Sequence, residues 1–159
     1  MSETGDSEEN GSQPMGTPYE QDVVAWAREQ AALLRAGKLT AIDIEHIAEE
    51  IEDVGKSEQR ELASRMSVLL AHLLKWQVQP ERRGASWRTT LRIQRMAIER
   101  RLNKTPSMKP MLSDQDWISD MWGDARQQAA NETGIGVAAF PETCPWPMTQ
   151  VLDPEFYPE

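Results

Sequence analysis

Three features of the sequence predict an all-α fold. Apolar residues recur at three- and four-residue spacing through four stretches. Capping residues, glycine and proline punctuate those stretches where helix ends belong. No stretch alternates at period two for long enough to make a strand. The predicted architecture is an up-down bundle of four main helices, with a proline-rich C-terminal segment packing along it. Residues 1–16 read as a disordered acidic tail and residues 17–159 as a single helical domain. The tail, MSETGDSEENGSQPMG, has too few apolar side chains to offset its ordering entropy.

The first helix is expected to start at Thr17-Pro18-Tyr19-Glu20, where Thr17 can cap and Glu20 can complete a capping box. Its stripe is Val23, Trp26, Ala27, Gln30, Leu33 and Leu34, and Gly37 suits a left-handed terminator. The second helix is expected to start at Thr40 and to bury Ile44, Ile47, Ala48, Ile51 and Val54. The stripe keeps its phase through Gly55, Glu58, Leu62, Met66, Leu69, Leu73 and Trp76. One long helix, with room for a kink at Gly55, is therefore favoured over two. Pro80 stops it, since proline lacks an amide donor and disfavours helix in the preceding residue.

Ser86 can cap a third helix with Trp87, Leu91, Gln94, Ile98 and Leu102 on one face and Arg88, Arg92 and Arg95 on the next. After Thr105-Pro106, Ser107 can cap a fourth. Its stripe is Met108, Met111, Gln115, Ile118, Trp122, Ala125 and Ala129, closed by Gly134. Five prolines from Pro141 to Pro158 exclude a long helix thereafter, leaving room for one turn near Thr149–Leu152.

Charge is polarised along the chain. The net charge is −9, which speaks against non-specific nucleic-acid binding by the chain as a whole. Residues 41–55 carry six acids and no Lys or Arg, whereas residues 81–104 carry eight bases against Glu81 and Glu99. The first expectation is that these segments pair internally, because helices joined by a short turn are antiparallel neighbours. The alternatives are a protein partner or nucleic acid. No apolar run is long enough to cross a membrane. With no apolar leader and with Cys144 as the one cysteine, a cytoplasmic protein is expected.

The chain carries the blocks AEEIEDVGKSEQREL, HLLKWQVQPERR and PETCPW. The chain carrying them, from about Tyr19 to Pro158, resembles the bacterial domain-of-unknown-function family 29, found mainly in cyanobacteria and proteobacteria. That resemblance implies a small all-helical cytoplasmic protein. The family has no agreed activity, so it transfers no catalytic residue.

Candidate chemistries are sparse. His46, Glu50 and Asp53 share a face of the second helix with Asp43 and Glu49 nearby, but there is no Glu-x-x-His pair. A solvated acidic face is the favoured reading over a metal site. Cys144, between Thr143 and Pro145, has no local base and reads as a packed residue. No catalytic, cofactor-binding or metal residue is assigned, and an enzyme using the acidic helix is the weakest reading. The leading expectation is an interaction or adaptor module with a protein partner or a second copy of itself. A nucleic-acid-associated protein using the basic face of residues 82–101 comes next. The candidate surface residues are His72, Trp76, Arg82, Arg83, Arg88, Arg92 and Arg95, with Trp117 as an aromatic anchor off the fourth helix's stripe.

Overall fold

The structure is a computed structural model that describes residues 16–159. The acidic tail expected over residues 1–16 lies, but for Gly16, outside the described residues. The described residues form helices α1 (Val23–Arg35), α2 (Ile44–Val78), α3 (Ala85–Lys104) and α4 (Gln115–Thr133), and the single turn α5 (Met148–Val151). Three 3-10 segments connect them, at Pro80–Arg82, Pro106–Ser113 and Val137–Ala139. Every regular element among the described residues is helical, as the periodicity predicts. It divides into two compact units at Val54 and Gly55, inside α2.

In the first unit, α1 starts later than its sequence suggests. Asp22, not Thr17, is the cap: its Oδ1 accepts from the amides of Val24 at 3.1 Å and Ala25 at 3.0 Å. Thr17 instead donates its amide and hydroxyl to the Glu29 carboxylate. Gly37 ends the helix in the left-handed region, with the Lys38 amide reaching back to the Leu33 carbonyl at 3.0 Å. α2 likewise starts at Asp43 rather than Thr40, because Asp43 accepts from the amides of both His46 and Ile47.

α2 runs 35 residues, about 52 Å at 1.5 Å per residue, and stays helical through Gly55. Its apolar stripe has two fates. From Leu62 to Trp76 it is core: Leu62, Met66, Leu69, Leu70, Leu73 and Leu74 are fully buried. From Ile44 to Val54 the expected burial is overturned. Ile44, Ile51 and Val54 are 66%, 68% and 67% exposed. Helical periodicity reports that a face is apolar. It does not report what lies against that face.

In the second unit, α3 runs antiparallel to α2. Arg101 meets Glu58 at one end and Lys75 lies over Trp87 at the other. α4 runs parallel to α2, with Ser67 beside Met121 and Lys75 on Glu132. These three helices share one core, to which Leu91, Ile98, Leu102, Trp122, Ala125 and Ala129 contribute. α3 begins at Ala85 after Gly84, so Ser86 lies in its first turn rather than at its cap. The expected fourth helix is shortened, because Pro106 and Pro110 withdraw two amides and leave Pro106–Ser113 in a 3-10 path. Asp114 then caps α4, and Gly134 closes it in the left-handed region. The proline-rich segment packs back onto this core through Phe140, Met148 and Val151.

Candidate interaction surface

The candidate basic residues of the segment before α3 and of α3 itself separate into three groups by what holds them. Arg95 is 4% exposed. Its Nε donates to the Val151 carbonyl at 3.0 Å, and its Nη2 to that of Phe156 at 2.7 Å. It also lies over the Tyr157 ring. Arg95 therefore leaves the candidate surface and anchors the C-terminal segment. Trp76 leaves it too, being buried against Tyr157 with ring centroids 4.8 Å apart. Arg83 is half-buried, and its Nε donates to the Trp76 carbonyl at 2.7 Å. Arg82, Arg88 and Arg92 stand exposed, Arg88 with its guanidinium 5.4 Å from the Trp76 ring.

His72 and Trp117 are half-buried. His72 Nδ1 donates to the Val68 carbonyl at 2.9 Å, and burial pushes its pKa down, so the ring stays neutral. Trp117 packs against the core of the second unit. Cys144 is also half-buried. Its Sγ donates to the Trp146 carbonyl, and burial raises its pKa, which keeps it a thiol.

The ion pairs of α3 are not the expected ones, because its acidic partners lie outside residues 41–55. Arg101 pairs with Glu58 at 2.9 Å and Glu61 at 3.4 Å, further along α2 than the acidic run. In its own unit that run takes part in an assembly that sequence reasoning missed. Asp43 Oδ2 accepts from Trp26 Nε1 at 3.0 Å and from His46 Nδ1 at 2.7 Å. The His46 ring stacks on Tyr19 at 4.2 Å, and its Nε2 faces Glu20 at 3.1 Å. The Tyr19 hydroxyl donates to Glu50 at 2.6 Å, which pushes its pKa up to about 12. The one signal for this assembly is the spacing Asp43-x-x-His46, which lets a capping carboxylate reach the side chain one turn on. Among the described residues, no group of three or more His, Cys, Asp or Glu side chains is placed to hold a metal ion.

This assembly makes the joint between α1 and α2 pH-dependent. The hydrogen bond to Asp43 raises the His46 pKa above 6.5. Burial raises that of Asp43, but the bonds from His46 and Trp26 outweigh it and hold the carboxyl below 3.8. A raised histidine pKa contributes stability that is full below 6.5 and lost as pH rises through the folded value. A depressed carboxyl contributes above 3.8 and is lost as pH falls through its folded value. The joint is therefore tightest between those limits. An NMR titration of the His46 ring should give a midpoint above 6.5, lowered by Asp43→Asn. A midpoint at or below 6.5 in the unmodified chain would count against the Asp43 bond.

What both units present to solvent is uneven. Among the described residues, ten large apolar side chains stand exposed, and seven of them, Val23, Val24, Leu34, Leu39, Ile44, Ile51 and Val54, belong to the first unit. Among its described residues, that unit has one buried core residue, Trp26. On α3, Ile93 and Met96 are about half exposed beside Arg92.

The family model for the domain of unknown function DUF29 matches residues 18–157, which takes in all five helices. The chain belongs to this family. The DUF29 match spans nearly the stretch that the sequence blocks delimit, and it covers both the acidic stripe and the basic helix. Comparisons with curated proteins and with solved structures returned no match. No helix among the described residues is long and apolar enough to cross a membrane.

Proposed function

We propose that the chain is a cytoplasmic interaction module whose working surface is the first half of α2. One observation carries this reading. Ile44, Ile51 and Val54 make an apolar stripe about two-thirds exposed, in a unit whose described residues include a single buried one. Covering such a stripe releases about 25 cal/mol for each Å² of apolar surface. A contiguous apolar patch rimmed by charge is the usual mark of a protein contact. Cys144, the one cysteine of the chain, has no intrachain disulfide partner, which fits a reducing compartment.

A test places a benzophenone amino acid at position 51 of the full chain in living cells. Irradiation should give protein adducts in excess of those from a control at position 131 on α4. Equal yields from both positions would remove the reading.

Exposed Arg82, Arg88 and Arg92 favour a second reading, binding of single-stranded nucleic acid along α3. It lacks a stacking platform, because Trp76 is buried and Trp87 is half-buried beneath Lys75.

A further inference from the structure

We infer that the groove between α2 and the end of α3 is an anion site for a small, polar phosphate monoester. It shares no residue with the apolar stripe and lies wholly within the second unit. Its volume is about 510 Å³, within the range of small-molecule sites. Arg65 lines it from α2, and Arg100, Arg101 and Lys104 line it from α3. Glu58 is the one carboxylate of the lining, and Glu61 lies beside it against both Arg65 and Arg101. Four cations thus meet two carboxylates. Glu99 does not redress the balance, since it lines a different groove with Arg88 and Arg92.

The pairs inside the groove leave most of its donors unserved. Arg101 Nη1 makes one good bond, to Glu58 at 2.9 Å, while its Nη2 is 3.4 Å from Glu61. Arg65 Nε lies 3.0 Å from Glu61 but off the line of its N–H, so this buried donor has no acceptor. Arg65 Nη1 reaches Gln94 only at 3.4 Å. Arg100 and Lys104 stand exposed and pair with no carboxylate among the described residues. The negative end of the α3 dipole favours cations at Arg101 and Lys104. It gives no reason for Arg65 on α2, and the Arg101 carbonyl is already held by the Thr105 amide at 2.8 Å and hydroxyl at 2.6 Å. A phosphate monoester carries about −1.5 to −2 charges at neutral pH, which offsets the excess of two cations, and its oxygens suit arginine forks. The groove is larger than one phosphate, and Ala97 is the one apolar side chain in its lining, so the rest of the ligand is polar. No aromatic ring lines it, which disfavours a stacked base and hence nucleic acid.

Titration of the full chain with ribose 5-phosphate at low salt tests this, read by calorimetry and by the arginine Nε–H resonances. A Kd of about 0.1 mM or tighter is expected, and it should weaken as salt rises. The Nε–H signals of Arg65 and Arg101 should move, and those of Arg82 and Arg92 should not. Ribose without its phosphate should not bind, and inorganic phosphate should bind at least roughly tenfold more weakly. Arg100→Gln with Lys104→Gln should weaken ribose 5-phosphate at least roughly tenfold. Both side chains are exposed, and circular dichroism melts check that the variant folds. Arg82→Gln with Arg92→Gln, an equal loss of charge elsewhere, should leave the Kd unchanged. No binding at about 10 mM overturns the inference. So does an equal loss in both variants, or sulfate or inorganic phosphate binding as tightly as the ester, since either would mean general attraction of anions. A single-stranded oligonucleotide that binds through Arg100 and Lys104, and that ribose 5-phosphate fails to displace, assigns the groove to nucleic acid instead.

Discussion

Replacing Arg95 by methionine should destabilise the second unit by about 3 kcal/mol and release the C-terminal segment, because a hydrogen bond from a charged donor contributes about 1.5–3 kcal/mol. The guanidinium makes two good bonds, to the carbonyls of Val151 and Phe156, and a longer one of 3.4 Å to Pro154. Methionine keeps most of the side chain's volume, so the loss reports the fork rather than a cavity. Burial lowers the Arg95 pKa from its ordinary value, yet an arginine remains charged at neutral pH, and the three carbonyls are what compensate that charge. Lysine should recover only part of the loss, since one ammonium cannot span carbonyls from Val151 to Phe156. Urea unfolding reads the stability, and glutamyl-endopeptidase cleavage after Glu155 reads the release. An unchanged midpoint with unchanged cleavage would show that the segment is held by its apolar side chains alone.

Arg95 also marks where sequence reasoning stops. Charge counting treats every arginine of residues 81–104 alike and groups Arg95 with Arg88 and Arg92 as a basic face. Its position held a signal, since Leu91, Arg95, Ile98 and Leu102 follow helical spacing and are the four buried residues of α3. What no local pattern could supply is the set of acceptors, which lie 56 to 61 residues further along the chain. The legible features were those decided locally. Gly37 and Gly134 end helices because they adopt positive φ, Pro80 stops α2, and α2 passes Gly55 because the phase of its stripe never breaks. The illegible ones depend on what arrives from elsewhere. The same stripe that is core at Leu62 is bare at Ile51. Likewise, the carboxylate of Asp43 is an acidic-run residue by composition but a joint between Trp26 and His46 by geometry.

Trp122→Ala should cost about 3–5 kcal/mol, the range for emptying a buried aromatic site. The side chain is fully buried, packs edge-on against Trp146 at 5.7 Å, and donates Nε1–H to the Pro141 carbonyl at 2.8 Å. Alanine therefore opens a cavity and strands an acceptor together. Trp122→Phe separates the two losses. It refills most of the volume but offers no donor, so about 1–2 kcal/mol is expected from the carbonyl alone. This bond holds the proline-rich segment at Pro141, while Arg95 holds it from Val151 onward. If the segment detaches as one piece, breaking either anchor removes most of what the other contributes. Trp122→Phe combined with Arg95→Met should then cost less than the sum of the two single changes by at least about 0.5 kcal/mol. A sum that is additive within that margin would mean that the two ends of the segment are held independently.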